Sequence, residues 1–331
     1  MNDSLTQCSE TADITLVIPG RDCESTLAKC LDSVVPLLDK GELKTILFVN
    51  DGSTDRTAEI AAQYPVTVIT GKGDGPGAAR NLGWQAAETE WIWFIDSDCV
   101  AEETALKRLI PHCNTPEVAG IGGSYSNLYP DSLLATLIHE EIVARHRRMN
   151  AEVNFLATFN VLYQRRVLES LNGFDEALKL AQDAELAFRI KQAGFRLRFE
   201  IQSCVGHHHP RKLMRYLRTQ TRTSYYRIAL YKKFPSRAKG DSYAGLIDYI
   251  QPPLALMTLI TLPMVAFPTL WILPAALGVL LLLCQTPMTL SMLTHTKSLR
   301  MLAFPFMSLL RSHARGMGAL AGLFDLFRRQ I

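Results

Sequence analysis

An α/β fold with a mostly parallel sheet and helices on both faces, followed by a transmembrane helical hairpin and an amphipathic helix, is predicted by three observations. Short β-branched and aromatic runs alternate with helix-period segments over residues 14–95, the pattern of βαβ units. The apolar run Trp91-Ile92-Trp93-Phe94-Ile95 ends abruptly in Asp96-Ser97-Asp98. That places acids at the carboxyl edge of a sheet, where open α/β folds bind ligands. No Asp, Glu, Lys, Arg or His occurs between 249 and 294. A crossing needs about 20 residues, so this length holds two.

Composition bounds the rest. The chain has 331 residues, 48% hydrophobic, and a formal charge of +3. It is long enough for a large core plus a membrane part, and its charge is too small to argue for a nucleic-acid partner. Seven scattered cysteines contain no Cys-x-x-Cys pair, which fits a reducing compartment without a zinc site. The polar, acidic stretch 1–12 does not read as a signal peptide, so the catalytic part is expected in the cytoplasm. The expected units are a tail at 1–12, an α/β domain at 13–230, a linker at 231–250, a membrane hairpin at 251–294 and an interfacial helix at 295–331.

Each element has a local cause. Residues 14–19 form a short apolar strand, and 24–38 place Leu27, Leu31, Val34 and Leu38 at helical spacing. A second strand over 44–49 ends in Asn50-Asp51-Gly52-Ser53-Thr54-Asp55. Ser53 is a candidate N-cap for a helix to 63. A third strand covers 66–70. The loop Gly71-Lys72-Gly73-Asp74-Gly75 leads to Pro76, well suited to open a helix running to 87. After the acidic turn come a helix over 101–111, a strand over 118–124, a long helix over 133–149, a strand over 155–163, a short helix over 164–170 and a last strand over 196–205.

Paired hard oxygen donors after a strand suit Mg²⁺ or Mn²⁺, metals held by few carboxylates plus substrate phosphates. The segments Val17-Ile18-Pro19, Val49 to Asp55, Gly75-Pro76-Gly77-Ala78-Ala79-Arg80-Asn81 and Asp96-Ser97-Asp98 carry a further signal. So do Leu171-Asn172-Gly173-Phe174-Asp175-Glu176 and Gln182-Asp183-Ala184-Glu185. In this order and spacing they resemble the family 2 glycosyltransferases of GT-A fold, of the membrane-anchored bacterial type. The resemblance covers residues 13–230.

It implies roles position by position. Pro19, Arg21, Asp51, Arg80, Asp96 and Ser97 would bind the nucleotide-sugar, with Asp51 on the base and Arg80 near the diphosphate. Asp98 would hold the metal, with His207 of His207-His208-His209 beside it. Asp183 would be the general base of an inverting transfer. Plain structural alternatives are a turn-forming Asp51, a surface Arg80 and an Asp183 that only pairs with a helix dipole. The chain departs from the family where Asn50 replaces Asp and Gln182 replaces Glu, and where Arg21-Asp22 replaces an aromatic residue and Asn. It also lacks the Gln-x-x-Arg-Trp segment of processive members. Arg215, Arg218, Arg222 and Arg227 lie on one basic helix that could attract an anionic nucleotide or lipid surface.

The spans are placed at 252–271 and 274–293. Arg237 and Lys239 before them, and Lys297 and Arg300 after, put both ends in the cytoplasm. Within 301–327, Arg311 and Arg315 interrupt an apolar pattern. A central Arg costs about 2.5–3.5 kcal/mol on the insertion scale, against about 0.3–0.6 returned per Leu or Phe. The segment is therefore read as lying on the membrane. Together these readings give a metal-dependent, inverting transferase. It uses a UDP- or GDP-linked sugar and a lipid or lipid-linked acceptor, as a multi-pass protein of the cytoplasmic (inner) membrane. A polyprenyl-phosphate glycosyl synthase, or a non-catalytic sugar-nucleotide-binding protein, would share most of these features.

Overall fold

The computed structural model describes residues 13–235 and 242–329. The tail at 1–12 and the flanking Arg237 and Lys239 lie outside the described residues. The first half is the expected alternation: β1 (Ile14–Gly20), α1 (Leu27–Asp39), β2 (Thr45–Asn50), α2 (Thr57–Ala61), β3 (Thr67–Thr70), α3 (Pro76–Ala86) and β4 (Trp91–Ile95). These strands stand in the order β3-β2-β1-β4, all parallel. Every residue of β1 and β4 is buried, as strands covered on both faces require. Trp91, Trp93 and Ile95 face one core with Leu27, Leu31 and Val34 of α1. Ile92 and Phe94 face the other, with Ala79 and Trp84 of α3.

The second half is mixed rather than parallel. It contains β5 (Cys99–Ala101), α4 (Ala105–Leu109), β6 (Val118–Asn127), α5 (Leu133–His146), β7 (Glu152–Val153), β8 (Asn160–Gln164), α6 (Arg165–Ser170), α7 (Gln182–Gln192) and β9 (Arg196–His207). The sheet continues from β4 through β8, β6 and β9 to β5. β8 runs antiparallel to β4 and β6, while β6 and β9 are parallel. The strand expected over 155–163 begins only at Asn160, and β9 extends two residues beyond 205.

Ser53 does not cap a helix. Its hydroxyl accepts the Asp22 N–H at 3.0 Å, and α2 starts at Thr57, whose N–H reaches Asp55 Oδ1 at 3.0 Å. The polar loop after β2 is thus used to hold the loop after β1.

The C-terminal region comprises α8 (Leu213–Lys233), α9 (Leu246–Thr261), α10 (Ile272–Leu283), α11 (Thr286–Thr296) and α12 (Phe304–Arg329). α8 runs unbroken past residue 230, where a linker was expected. The segments Leu246–Ala266 and Ile272–Thr296 are long and apolar enough to cross a membrane, and only 22% of each apolar window is buried. Low burial argues against core helices of a soluble domain. The reversal lies at 267–271, a few residues before the expected 271–274. α12 turns its polar stripe inward: Arg311 pairs with buried Glu141, and Ser312 reaches Gln251 at 3.1 Å. Phe306, Leu310, Met317, Leu320, Phe324 and Phe327 point outward and are exposed.

Candidate functional site

The site forms where the loops after β1, β2 and β4 meet the start of α7. Two loops brace each other first. Thr54 N–H donates to Asp22 Oδ1 at 2.8 Å, Glu24 N–H to Asp55 Oδ2 at 3.1 Å, and Arg56 N–H to Glu24 Oε2 at 3.2 Å. Arg21 donates to the Gly73 carbonyl at 3.2 Å. Asp51 is buried, and its carboxylate oxygens accept the Gly73 and Gly75 N–H groups, each at 2.9 Å. Gly73 and Gly75 have φ of 82° and 106°, so the glycines let this loop fold over the acid. A carboxylate offers about four lone-pair sites, so the two loop bonds leave Asp51 able to accept another donor.

Arg80 projects from the first turns of α3. Its side chain is 5% exposed, and Nη2 donates to Asp96 Oδ1 at 2.6 Å. The guanidinium also sits 5.8 Å from the Phe174 ring centre. Phe174 is fixed in turn, because Asn81 accepts its N–H at 2.8 Å and donates to its carbonyl at 2.9 Å. A strand-end acid and a helix-borne cation thus form one charged unit in the cleft wall.

The short strand β5 carries out a step that the sequence reading did not foresee. It pairs antiparallel with β9, setting Cys99 opposite His207. His207 Nε2 therefore lies 3.6 Å from Asp98 Oδ2. His208 Nδ1 lies 2.9 Å from the Asp98 carbonyl oxygen instead, and His209 is buried behind His207. Ligand atoms of Asp98, Cys99 and His207 lie within 4.8 Å of one another. Burial pushes the Cys99 thiol well up, which leaves it a poor anionic ligand. Burial also raises Asp98, against the pull of His207. A carboxylate oxygen facing an imidazole nitrogen is a donor set that suits Mn²⁺ completed by phosphate oxygens better than Mg²⁺, which prefers oxygen ligands alone.

Asp183 stands in the first turn of α7, and its Oδ1 accepts the Ala184 N–H at 2.8 Å. Burial raises its pKa, while Arg80 and Arg227 oppose the rise and Asp96 adds to it. Glu185 and Arg189 pair at 2.7 Å, as their i, i+4 spacing allows. They do more than that: Arg189 also donates to the Leu171 and Gly173 carbonyls at 2.5 and 2.6 Å. The helix that presents Asp183 is thereby tied to the turn before it.

One cavity of about 690 Å³ is lined by Pro19, Arg21, Asp51, Arg80, Asp96, Ser97, Asp98 and Asp183. His207 stands beside Asp98 at its edge. All the site residues singled out from sequence therefore converge. The lining also includes Phe155, Lys179, Arg222, Thr223 and Arg227. The basic periodicity of α8 signalled Arg222 and Arg227, but as a surface stripe. Nothing local marked Phe155, Lys179 or Thr223.

An acid-edged cleft at the carboxyl ends of parallel strands, with basic residues in the wall, defines an α/β domain of the GT-A type. The family model for Glycosyl transferase family 2 matches residues 15–171, and over this segment the chain is similar to that family. The pre-mycofactocin glycosyltransferase of Mycobacterium tuberculosis is 27% identical over 220 residues, 61% of this chain and 44% of that protein. The glycosyltransferase AglE of Haloferax volcanii is 25% identical over 216 residues, 63% of this chain and 71% of that protein. The match thus spans less than half of the mycobacterial relative. Among solved structures, the mannosyltransferase PcManGT of Pyrobaculum calidifontis, in complex with GDP-Man and Mn²⁺, shares the fold. Its TM-score is 0.58 at 16% identity, covering 95% of this chain and 87% of that one.

Proposed function

We propose that this chain transfers a sugar, with inversion, from a UDP- or GDP-linked donor to a lipid or lipid-linked acceptor at a membrane surface. The observation that carries the reading is that Asp183 shares one cavity with Asp96, Ser97 and Asp98. The relatives named as glycosyltransferases, and a fold neighbour solved with GDP-Man and Mn²⁺, support the sugar transfer from a nucleotide-linked donor.

Asp51 and the loop folded over it would receive the base. Arg80 and Asp96 would orient the ribose and diphosphate. Asp98 and His207 would hold a divalent cation, which when bound would supply charge neutralisation for the leaving diphosphate. Asp183 then takes the proton of the attacking hydroxyl. The new bond forms between that oxygen and the anomeric carbon. The bond from that carbon to the diphosphate breaks, its electron pair leaving with the nucleotide. Arg80 and Arg227 help keep Asp183 ionised against its burial.

Exposed apolar residues on the hairpin and α12 support a membrane location. Both ends of the hairpin would lie on the cytoplasmic side, beside the catalytic domain, in a multi-pass arrangement at the inner membrane.

The test uses the purified full chain, radiolabelled UDP- and GDP-sugars, Mn²⁺ and a lipid extract. Label should enter the organic phase, and NMR of the product should show the opposite anomer to the donor. Label confined to water-soluble products would overturn the acceptor class, and a retained anomer would overturn the mechanism.

A further inference from the structure

Behind the donor cleft lies a second cavity of about 440 Å³, enclosed by α5, α8, α9 and α12. This is the size of a small-molecule site. Its two ends differ in chemistry. Toward the outside it is lined by Pro253 and Leu256 of α9 and by Ala319, Leu320 and Leu323 of α12. Leu320 and Leu323 are 56% and 40% exposed and continue into exposed Phe324 and Phe327. The mouth therefore opens on the apolar belt assigned to the membrane.

The polar part of the lining is cationic. Arg145, Arg227, Arg311 and Arg315 line it together with the carboxylates of Glu141 and Asp248. Both carboxylates are already engaged. Arg145 holds Asp248 at 2.6 and 2.7 Å and Glu141 at 2.7 Å, and Arg311 pairs with Glu141. Arg315 meets the neutral Gln220 Oε1 at 2.8 Å. Burial and neighbouring Arg311 hold Arg315 below the usual arginine range. An anion placed here would offset that cost.

The cavity is held open by close helix packing. A Cβ at Gly318 would come within 2.1 Å of the Thr221 carbonyl oxygen, and one at Gly316 within 2.8 Å of that of Pro252. α12 thus touches α8 and α9 backbone to backbone at these points and leaves the space between them. Thr223 and Arg227 line both this cavity and the donor cleft. The charge of Arg227 acts on Asp183. A head group bound beside Arg227 would therefore sit against a residue shared with the donor cleft.

We infer that this cavity binds the acceptor as an amphiphile: a phosphate or diphosphate head on the Arg315–Arg227 side, and an apolar chain leaving between α9 and α12. Calling the ligand an acceptor rests on the glycosyl-transfer reading; the binding itself does not, and the two are measured separately.

The probes are farnesyl phosphate and farnesyl diphosphate, with farnesol, inorganic phosphate and pyrophosphate as tail-only and head-only controls. Binding to the full chain in detergent micelles is read by native mass spectrometry and calorimetry. Both amphiphiles should bind, and the controls should bind at least about tenfold more weakly. Arg315→Gln and Ala319→Trp should each weaken the amphiphiles by about tenfold or more. Preference for the diphosphate assigns a diphosphate-linked acceptor, and preference for the monophosphate a lipid phosphate acceptor.

Circular dichroism and a cooperative thermal transition confirm that each variant is folded, and Leu323→Trp at the mouth replaces any variant that is not. Farnesol binding as tightly as the phosphate, or folded variants binding like the parent, would overturn the assignment. Lipid binding through these residues without any sugar transfer would sink the transfer reading and leave the cavity. Transfer to lipid at an unchanged KM in Arg315→Gln would do the reverse.

Discussion

Replacing Asp183 with Asn should move activity and stability in opposite directions. The substitution keeps the side chain's shape and removes its capacity to take a proton. A positioned general base contributes about 10²–10⁴-fold, so kcat at saturating substrates should fall by that factor, about 2.7–5.4 kcal/mol of barrier. Burial raises the carboxyl's pKa. A raised folded value means that the group's contribution is fully present below the ordinary aspartate range. It is lost as pH rises through the raised value. At neutral pH the parent carries that cost and the Asn variant does not. The variant's Tm should therefore equal or exceed the parent's. Steady-state transfer and calorimetry on the same preparations, from mildly acidic to neutral pH, read both quantities. The parent's kcat should climb with pH through the Asp183 titration, and the variant should lack that limb. A variant with kcat within a factor of a few of the parent would refute the base assignment. A variant with a lowered Tm and no nucleotide binding would show that Asp183 is structural.

Two further outcomes test the scaffold. Arg311→Leu leaves Glu141 buried without one of its partners; chemical denaturation should show a loss of about 3–5 kcal/mol, much of it restored by pairing the change with Glu141→Leu. His146 is buried, contacts Ser124 Oγ at 2.8 Å, and is lowered by burial from 6.5 to about 3. Its contribution is present above the ordinary histidine range and drains as pH falls from 6.5 toward 3; His146→Leu should flatten the acid limb of a Tm-versus-pH curve, and an unchanged slope would remove this residue from the account.

The parallel half of the fold was legible because β1, β2 and β4 are almost wholly buried and read as near-continuous apolar runs, with only the short edge strand β3 largely exposed. The Trp91-to-Ile95 segment is the clearest case, and β4 has those same bounds. The mixed half was harder. β5 is only three residues long and has no periodicity to detect, yet it brings His207 to Asp98. The residues at 155–159 are apolar enough to suggest a strand. Phe155 instead lines the cleft, and Leu156 and Phe159 plug cores beneath it. Ser53 looked like a helix cap because caps and loop braces use the same hydroxyl chemistry, and only the position of Asp22 decides between them. The acids of the site were visible as motifs at strand ends. The cations contributed by α8 were visible only as a basic helix. Which of them turn inward depends on α12, whose inward polar stripe no local pattern could orient.

Donor binding should depend on a divalent cation held at Asp98. Calorimetric titration of UDP- and GDP-sugars into the parent and into Asp98→Asn, with and without Mn²⁺, measures it. Mn²⁺ should tighten one donor by about tenfold or more in the parent and leave the variant unchanged. Equal affinity with and without Mn²⁺ in the parent, or an undiminished Mn²⁺ effect in the variant, would contradict it.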